Sequence, residues 1–373
     1  MASVWFGAEM GGGTASGANM MNFFVKTGWI GLWLSITATA GEGWYFYWGN
    51  EFARLKGCRG YADWLHAVWY PADRKLVPLL ELFIVLSYPI YIAGTISGAA
   101  TLLRDYPGVP YRTGVLLVTA MYLVLTVAGI RFLQGLGTGM TICIVFLILL
   151  VLTAGIPKAL PRVIEIQRTH QMGEGYSYLS AVWLAFCAWG QQASLVNVSI
   201  STWTGLKSAK DLRKTVLTGV VLLLIVKCGM TVLLQGRWPG NLQAPIYILE
   251  ASDAAGESAV TLLYPLLLAA CFASTGPVML YTQSQRWAEH PIWSNLKKDN
   301  LFRKYRFAVS AACFSSVSCI LAQFDFHTIT GVIQVGASWF WLILFAVPVS
   351  LICPIRVKYL RRKAESKKSG SQS

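Results

Sequence analysis

The chain has 373 residues, of which 55% are hydrophobic and only 13% charged, about half the charged share of a soluble domain, which excludes an ordinary globular protein. Its formal charge of +14 lies in short segments between apolar runs rather than along one patch, so the excess marks membrane topology and no nucleic-acid partner is expected. The eight cysteines fall mostly inside those runs, with no CxxC and no Cys/His cluster, which argues against disulfides and structural metal. Ten apolar runs recur, each roughly 18 to 28 residues long and able to cross a hydrocarbon core of about 30 Å. They predict an all-α polytopic membrane protein with spans near 1–25, 29–53, 77–103, 112–130, 136–156, 177–203, 214–235, 258–285, 306–323 and 327–354. The first run lacks a basic leader and an A-x-A site, so no cleavable signal peptide is expected.

The first span, "FGAEMGGGTASGANMMNFF", is apolar at its ends but carries Glu9, Gly11, Gly12, Gly13, Thr14, Ser16 and Gly17 between them. Glycine is among the worst helix formers, so residues 11 to 13 predict an unwound hinge at mid-depth. The half-helix starting near Ser16 would then point free N–H groups, with partial positive charge, at an anionic group. The competing reading is that these glycines only let another helix pack closely. Glu9 precedes the hinge, either facing a cavity, where it takes a proton or attracts a cation, or pairing inside the bundle.

The second span carries Glu42 near its centre. "YADWLHAVWYPAD", residues 61 to 73, alternates aromatic and polar residues and predicts a segment lying along the inner interface. The third span offers Tyr88 and Tyr91 as candidate cavity rings and Glu81 near its inner end. Residues 157–176 form an outer connector, with a second one over "NLQAPIYILEASDAAGES", and each is expected to hold a short capping helix. The sixth span again has a polar centre, Gly190, Gln191, Gln192 and Ser194, five spans after the first. Two interrupted helices at corresponding places predict an inverted repeat, because an odd number of spans turns the second copy over. Trp183, Phe186 and Trp189 flank this second break, where they either line a cavity or pack.

Lys227 lies at the middle of the seventh span, the repeat equivalent of the second. A Glu42 to Lys227 ion pair at mid-depth follows, serving either as a gate or proton-coupling element or as a structural tie. Lysine and arginine set the orientation. With the amino terminus inside, the inner segments hold Arg54, Lys56, Arg59, Arg74 and Lys75, then the basic stretches before span seven, around span nine and in the tail 355–373. The outer ones hold only Lys26, Arg104, Arg112, Lys158, Arg162, Arg168 and Arg237. Both termini are therefore expected in the cytoplasm, in a cytoplasmic (inner) membrane, with the tail a solvated basic end at the lipid surface.

"GGGTASGANMMNFF" is similar to the "GAGFASG…FF" signature of the YkvI-like membrane proteins, with Thr14 where that family usually carries Phe. These proteins belong to the amino acid, polyamine and organocation transporter superfamily. The resemblance implies the leucine-transporter fold: residues 1–156 as one repeat of five spans, 177–354 as the other, and substrate held at the two broken helices. It also implies a sodium site between the first and eighth spans. Ser274 and Thr275 in "LLLAACFASTGPVMLY" would supply its hydroxyls, with backbone carbonyls near Ala8. Hard oxygen ligands suit such an ion, although a Ser-Thr pair in a membrane helix also bonds its own backbone.

The expected function is a secondary transporter for a small organic solute, amino-acid-like or an amine, coupled to Na+ or H+ by alternating access. No nucleotide-binding motif and no catalytic constellation appears, so neither a primary pump nor an enzyme is expected, and no organic cofactor. The expected partners are the solute and membrane lipid, with the chain a monomer or weak homodimer. A receptor of the same fold that senses without transporting, as spore germination subunits resemble, stays open.

Overall fold

In the computed structural model, the structure describes residues 5–6, 9–58, 61–128, 130–195, 208–243, 246, 248, 258–288 and 300–369. They are almost wholly helical, and the ten runs read from the sequence each become a helix or a broken helix. The uninterrupted ones are Ile30–Lys56 (second span), Asp73–Asp105 (third), Tyr111–Ala128 (fourth), Ala209–Gln235 (seventh), Ser258–Ala288 (eighth) and Asn300–Leu321 (ninth). The fifth, Ile130–Thr169, is longer than the apolar run that announced it. It continues through Pro157 and Pro161, so most of the expected outer connector is an extension of this helix and not a separate cap.

Among the described residues five helices, in the third, fifth, seventh, eighth and tenth spans, are long and apolar enough to cross a membrane by length and composition. The second falls outside that group because polar residues such as Thr39 and Glu42 lower its mean hydropathy; both are buried inside the bundle. The tenth span runs from Thr328 to Ser369 with two wide π-helical stretches, Thr328–Ile333 and Leu342–Ala346, flanking Gln334–Trp341. Such π turns inside a helix often mark functional places, and the periodicity of the sequence does not announce them.

The helix ends sort onto two faces as the up-and-down path requires. On one face Gln167 donates to the Trp29 carbonyl, Gln235 to that of Gly28, and the Tyr111 hydroxyl to those of Ala322 and Phe324. On the other, Glu51 pairs with Arg54 and Arg361, Glu81 with Arg286, and Arg356 donates to the Ala67 and Tyr70 carbonyls. The aromatic segment 61–73 lies on this second face as a helix, Tyr61–Trp69. Its buried Trp64, Leu65 and Val68 turn inward, and the Trp64 indole donates to the Gly49 carbonyl at 3.0 Å.

Packing divides the spans into two groups. The second, sixth and seventh lie together, as do the third, fourth, eighth and ninth, with the fifth between the seventh and eighth and the tenth against the second and sixth. The first span touches both groups, and how it does so positions the site.

Candidate functional site

The first span is broken twice. Met10 and Gly11 leave the helix, with Gly11 extended at φ −60° and ψ 174°; one helical turn follows at Gly12–Ala15; Ser16 and Gly17 leave it again before Ala18–Phe23. Of the expected hinge over residues 11 to 13, only Gly11 is unwound. Gly12 and Gly13 are helical, and the second break belongs to Gly17, whose φ of +80° an L side chain adopts only with strain. Gly12 is needed for space: a Cβ there would meet the Phe272 ring of the eighth span at 2.5 Å.

These breaks divide the span into pieces seated on different partners. The segment before Gly11 lies on the second and seventh spans, where the Trp5 ring packs at a tilt 4.2 Å from Phe46 and covers Gly219. The central turn lies on the third and eighth spans. The outer piece returns to the sixth, seventh and tenth. Carbonyls that the breaks remove from helical pairing are taken up elsewhere, as backbone buried away from water requires. Tyr264 donates to the Ala15 carbonyl at 2.9 Å, the Ile248 amide to that of Ser16 at 3.2 Å, and the Cys271 thiol to that of Met10 at 3.5 Å. Ser16 donates to the Gly13 carbonyl at 3.2 Å, and Thr14 accepts from the Asn19 amide at 3.1 Å.

The expected pair between the second and seventh spans is present and has a third member. Lys227 Nζ donates to Glu42 Oε2 at 2.7 Å and Oε1 at 2.9 Å, and it also lies 2.9 Å from Glu9 Oε2. The Trp5 indole donates to Glu9 Oε1 at 3.3 Å. All three charged residues are 2% exposed, so water does not screen them. Glu9 is therefore not open to a cavity beside the hinge; it faces Lys227. The sequence held the signal for this: three charges at mid-depth, two of them acidic, cannot be matched by one pair.

The sixth span departs from expectation. It stays α-helical through Gly190, Gln191 and Gln192, tightens to a 3-10 turn at Ala193–Leu195, and its continuation over 196–203 lies outside the described residues. Gly190 serves close packing rather than unwinding, since a Cβ there would meet the Leu342 backbone at 2.6 Å. Trp189 packs toward the second span, 5.6 Å from the Tyr45 ring and against Gly41. Gln191 and Gln192 are buried, and the Gln191 carbonyl oxygen makes no hydrogen bond among the described residues. Tyr91 Oη faces Trp341 Nε1 of the tenth span without a well-formed hydrogen bond. One turn further along the third span, Gly94 makes room for the buried side-chain amide of Gln334. Phe272 and Thr95 thus border Gly12 of the central turn and Cys271 reaches Met10 just before it, and only the folded chain brings them there.

The proposed sodium ligands are described in part. Ala8 and the Ser274 side chain lie outside the described residues. The Thr275 hydroxyl hydrogen-bonds the Cys271 sulfur, which itself reaches the Met10 carbonyl, so the eighth span approaches the first break through these two residues. On the face where Gln167 and Gln235 cap Trp29 and Gly28, a cavity of about 460 Å³ is lined by Lys26, Gln171, Met172, Glu174, Tyr176 and Trp238. Burial holds the Lys26 ammonium below the usual lysine range.

No protein-family model and no curated protein matches the chain. Solved structures do resemble it. A manganese transporter of Eremococcus coleocola aligns over 94% of this chain and 77% of its own, at 14% identity and a TM-score of 0.61. A Na+-coupled sialic acid symporter, in a substrate-bound outward-open state, covers 94% and 78% at 14% identity and a TM-score of 0.60. Mhp1 in an inward-facing conformation covers 91% and 72% at 14% identity, with the same TM-score. At such identity the likeness establishes the architecture: an all-α, polytopic membrane protein of the leucine-transporter fold.

Proposed function

We propose that the chain is an ion-coupled secondary transporter of a small organic solute, amino-acid-like or an amine, working by alternating access, and that it belongs with the YkvI-like proteins. The carrying observation is the twice-broken first span, whose pieces rest on two different helix groups. A hinge placed between two packed bodies lets one rock against the other, which is what alternating access requires. The likeness to two transporters and a symporter supports the same reading.

In this reading the solute lies beside the central turn, among Gly11 to Gly17 with Thr14 and Ser16, Tyr91 and the buried amides of Gln191 and Gln192. The repeats are 1–156 and 177–354, and both termini face the cytoplasm. The coupling ion is Na+, at Ser274 and Thr275, or H+, at Glu42 and Lys227. Proteoliposomes offered labelled amino acids and amines under an imposed sodium or pH gradient test the proposal. Accumulation that collapses with one gradient supports it. Saturable ligand binding without accumulation under either gradient would instead identify a receptor.

A further inference from the structure

The buried charges do not balance. Glu9 and Glu42 bring two carboxylates against the single ammonium of Lys227. The groups that face them are few. The second span adds Tyr45, fully buried with its hydroxyl unpaired; the seventh adds Cys228, whose sulfur lies 3.8 Å from Ser35 Oγ; and the first adds the Trp5 indole. From the described part of the sixth span, Trp189 packs on Tyr45, while the Cys187 thiol bonds Ser338 instead. The fifth span meets the seventh at Gly229 with the apolar Leu152. Among the described residues no second cation reaches the cluster. An uncompensated carboxylate kept from water is among the least tolerable groups in a protein, and it neutralises by taking a cation.

The geometry decides which cation and where. Lys227 directs two hydrogen bonds at Glu42, whereas Glu9 Oε2 lies within ion-pair distance but receives no directed hydrogen bond. Glu9 is the less fully paired carboxylate. An alkali ion needs several oxygen ligands around it, and the gap between these carboxylates is already held by an ammonium that would repel it. A proton needs one oxygen lone pair. Glu42 and Lys227 also sit on unbroken helices packed against each other, while Glu9 sits on the short segment before the Gly11 break.

We infer that Glu9, Glu42 and Lys227 form a one-proton store, with the proton seated on Glu9 while the first span is closed on Lys227. When the segment before Gly11 tips away, Glu9 reaches water and gives the proton to it, leaving Glu42 and Lys227 as a neutral pair. Before the segment can return, Glu9 takes up a proton again. The store itself follows from charge and geometry; its use as the coupling step rests on the transporter reading above.

Infrared difference spectra of the purified full-length protein, recorded across a pH titration, test it through the carbonyl stretch of a protonated carboxyl group. Wild type should show one such band at neutral pH. Glu9→Gln and Glu42→Gln should each abolish it, because either leaves one carboxylate to one ammonium, and Lys227→Met should about double it. Glu9→Gln keeps the shape of the side chain and its acceptor for Trp5, so a folded variant is expected. A wild type without the band, a band that survives both glutamine variants, or one removed by sodium at constant pH would overturn the proposal. If liposomes carry no solute while the band behaves as described, the store stands and the transporter reading falls. Uptake without the band has the opposite meaning.

Discussion

Replacing Lys227 by methionine removes the one cation on which two buried carboxylates depend. Truncating one partner of a buried pair costs about 3–5 kcal/mol, most of it the penalty of the charge left behind. With the proton on Glu9, one charge, that of Glu42, is left 2% exposed without its partner, so the middle of that range applies, about 4 kcal/mol. At about 2 °C per kcal/mol for a long chain, the melting temperature of the purified protein should fall by about 8 °C. The loss should also depend on pH, with a definite sign. Without Lys227 the folded state holds protons on Glu9 and Glu42 that the unfolded chain releases to water. Stability then falls as pH rises, by about 1.4 kcal/mol per pH unit for each extra proton held. Thermal unfolding in detergent, measured between about pH 5 and 8, checks both parts. Lys227→Met combined with Glu9→Gln and Glu42→Gln should recover most of the loss and flatten the pH profile. A single variant within about 0.5 kcal/mol of wild type, or a triple variant no better than the single, would refute the reasoning.

Three other substitutions test the breaks and the close contacts. Gly17→Ala forces a side chain onto φ +80° and should destabilise by about 1–2 kcal/mol, read as a fall in melting temperature. Gly190→Ala drives a methyl against the Leu342 backbone, which cannot turn aside as a side chain would, so a loss of about 1–3 kcal/mol is expected. An unwound residue 190 would accept alanine without that loss. Tyr264→Phe leaves the Ala15 carbonyl of the central turn without its buried donor, for about 1–3 kcal/mol and faster amide exchange over Gly12–Ala15.

The pair between Glu42 and Lys227 was legible because a charge at mid-depth needs a partner, and the repeat made these two spans neighbours. Glu9 was legible as a charge but not as their third member. Its side-chain direction depends on where the first span stops being helical, and four glycines within seven residues offer several places. The chain chose two of them, since Phe272 fills the space over Gly12 and Tyr264 caps Ala15. The aromatics show the same limit: of the two readings open for Trp189, lining a cavity or packing, it packs, on Gly41 and Tyr45.

Composition and hydropathy alone settle the solvent, the number and order of the spans, and where along them polar groups are buried. Hydrocarbon enforces these locally: each run has to be long enough, apolar enough and internally hydrogen-bonded. Long-range packing selects which glycine bends and which one merely admits a ring, how far the fifth span extends, where the tenth widens into π turns, and that Lys227 faces two carboxylates. Those outcomes are set by contacts between residues as far apart as Glu9 and Lys227, and no local pattern carries them.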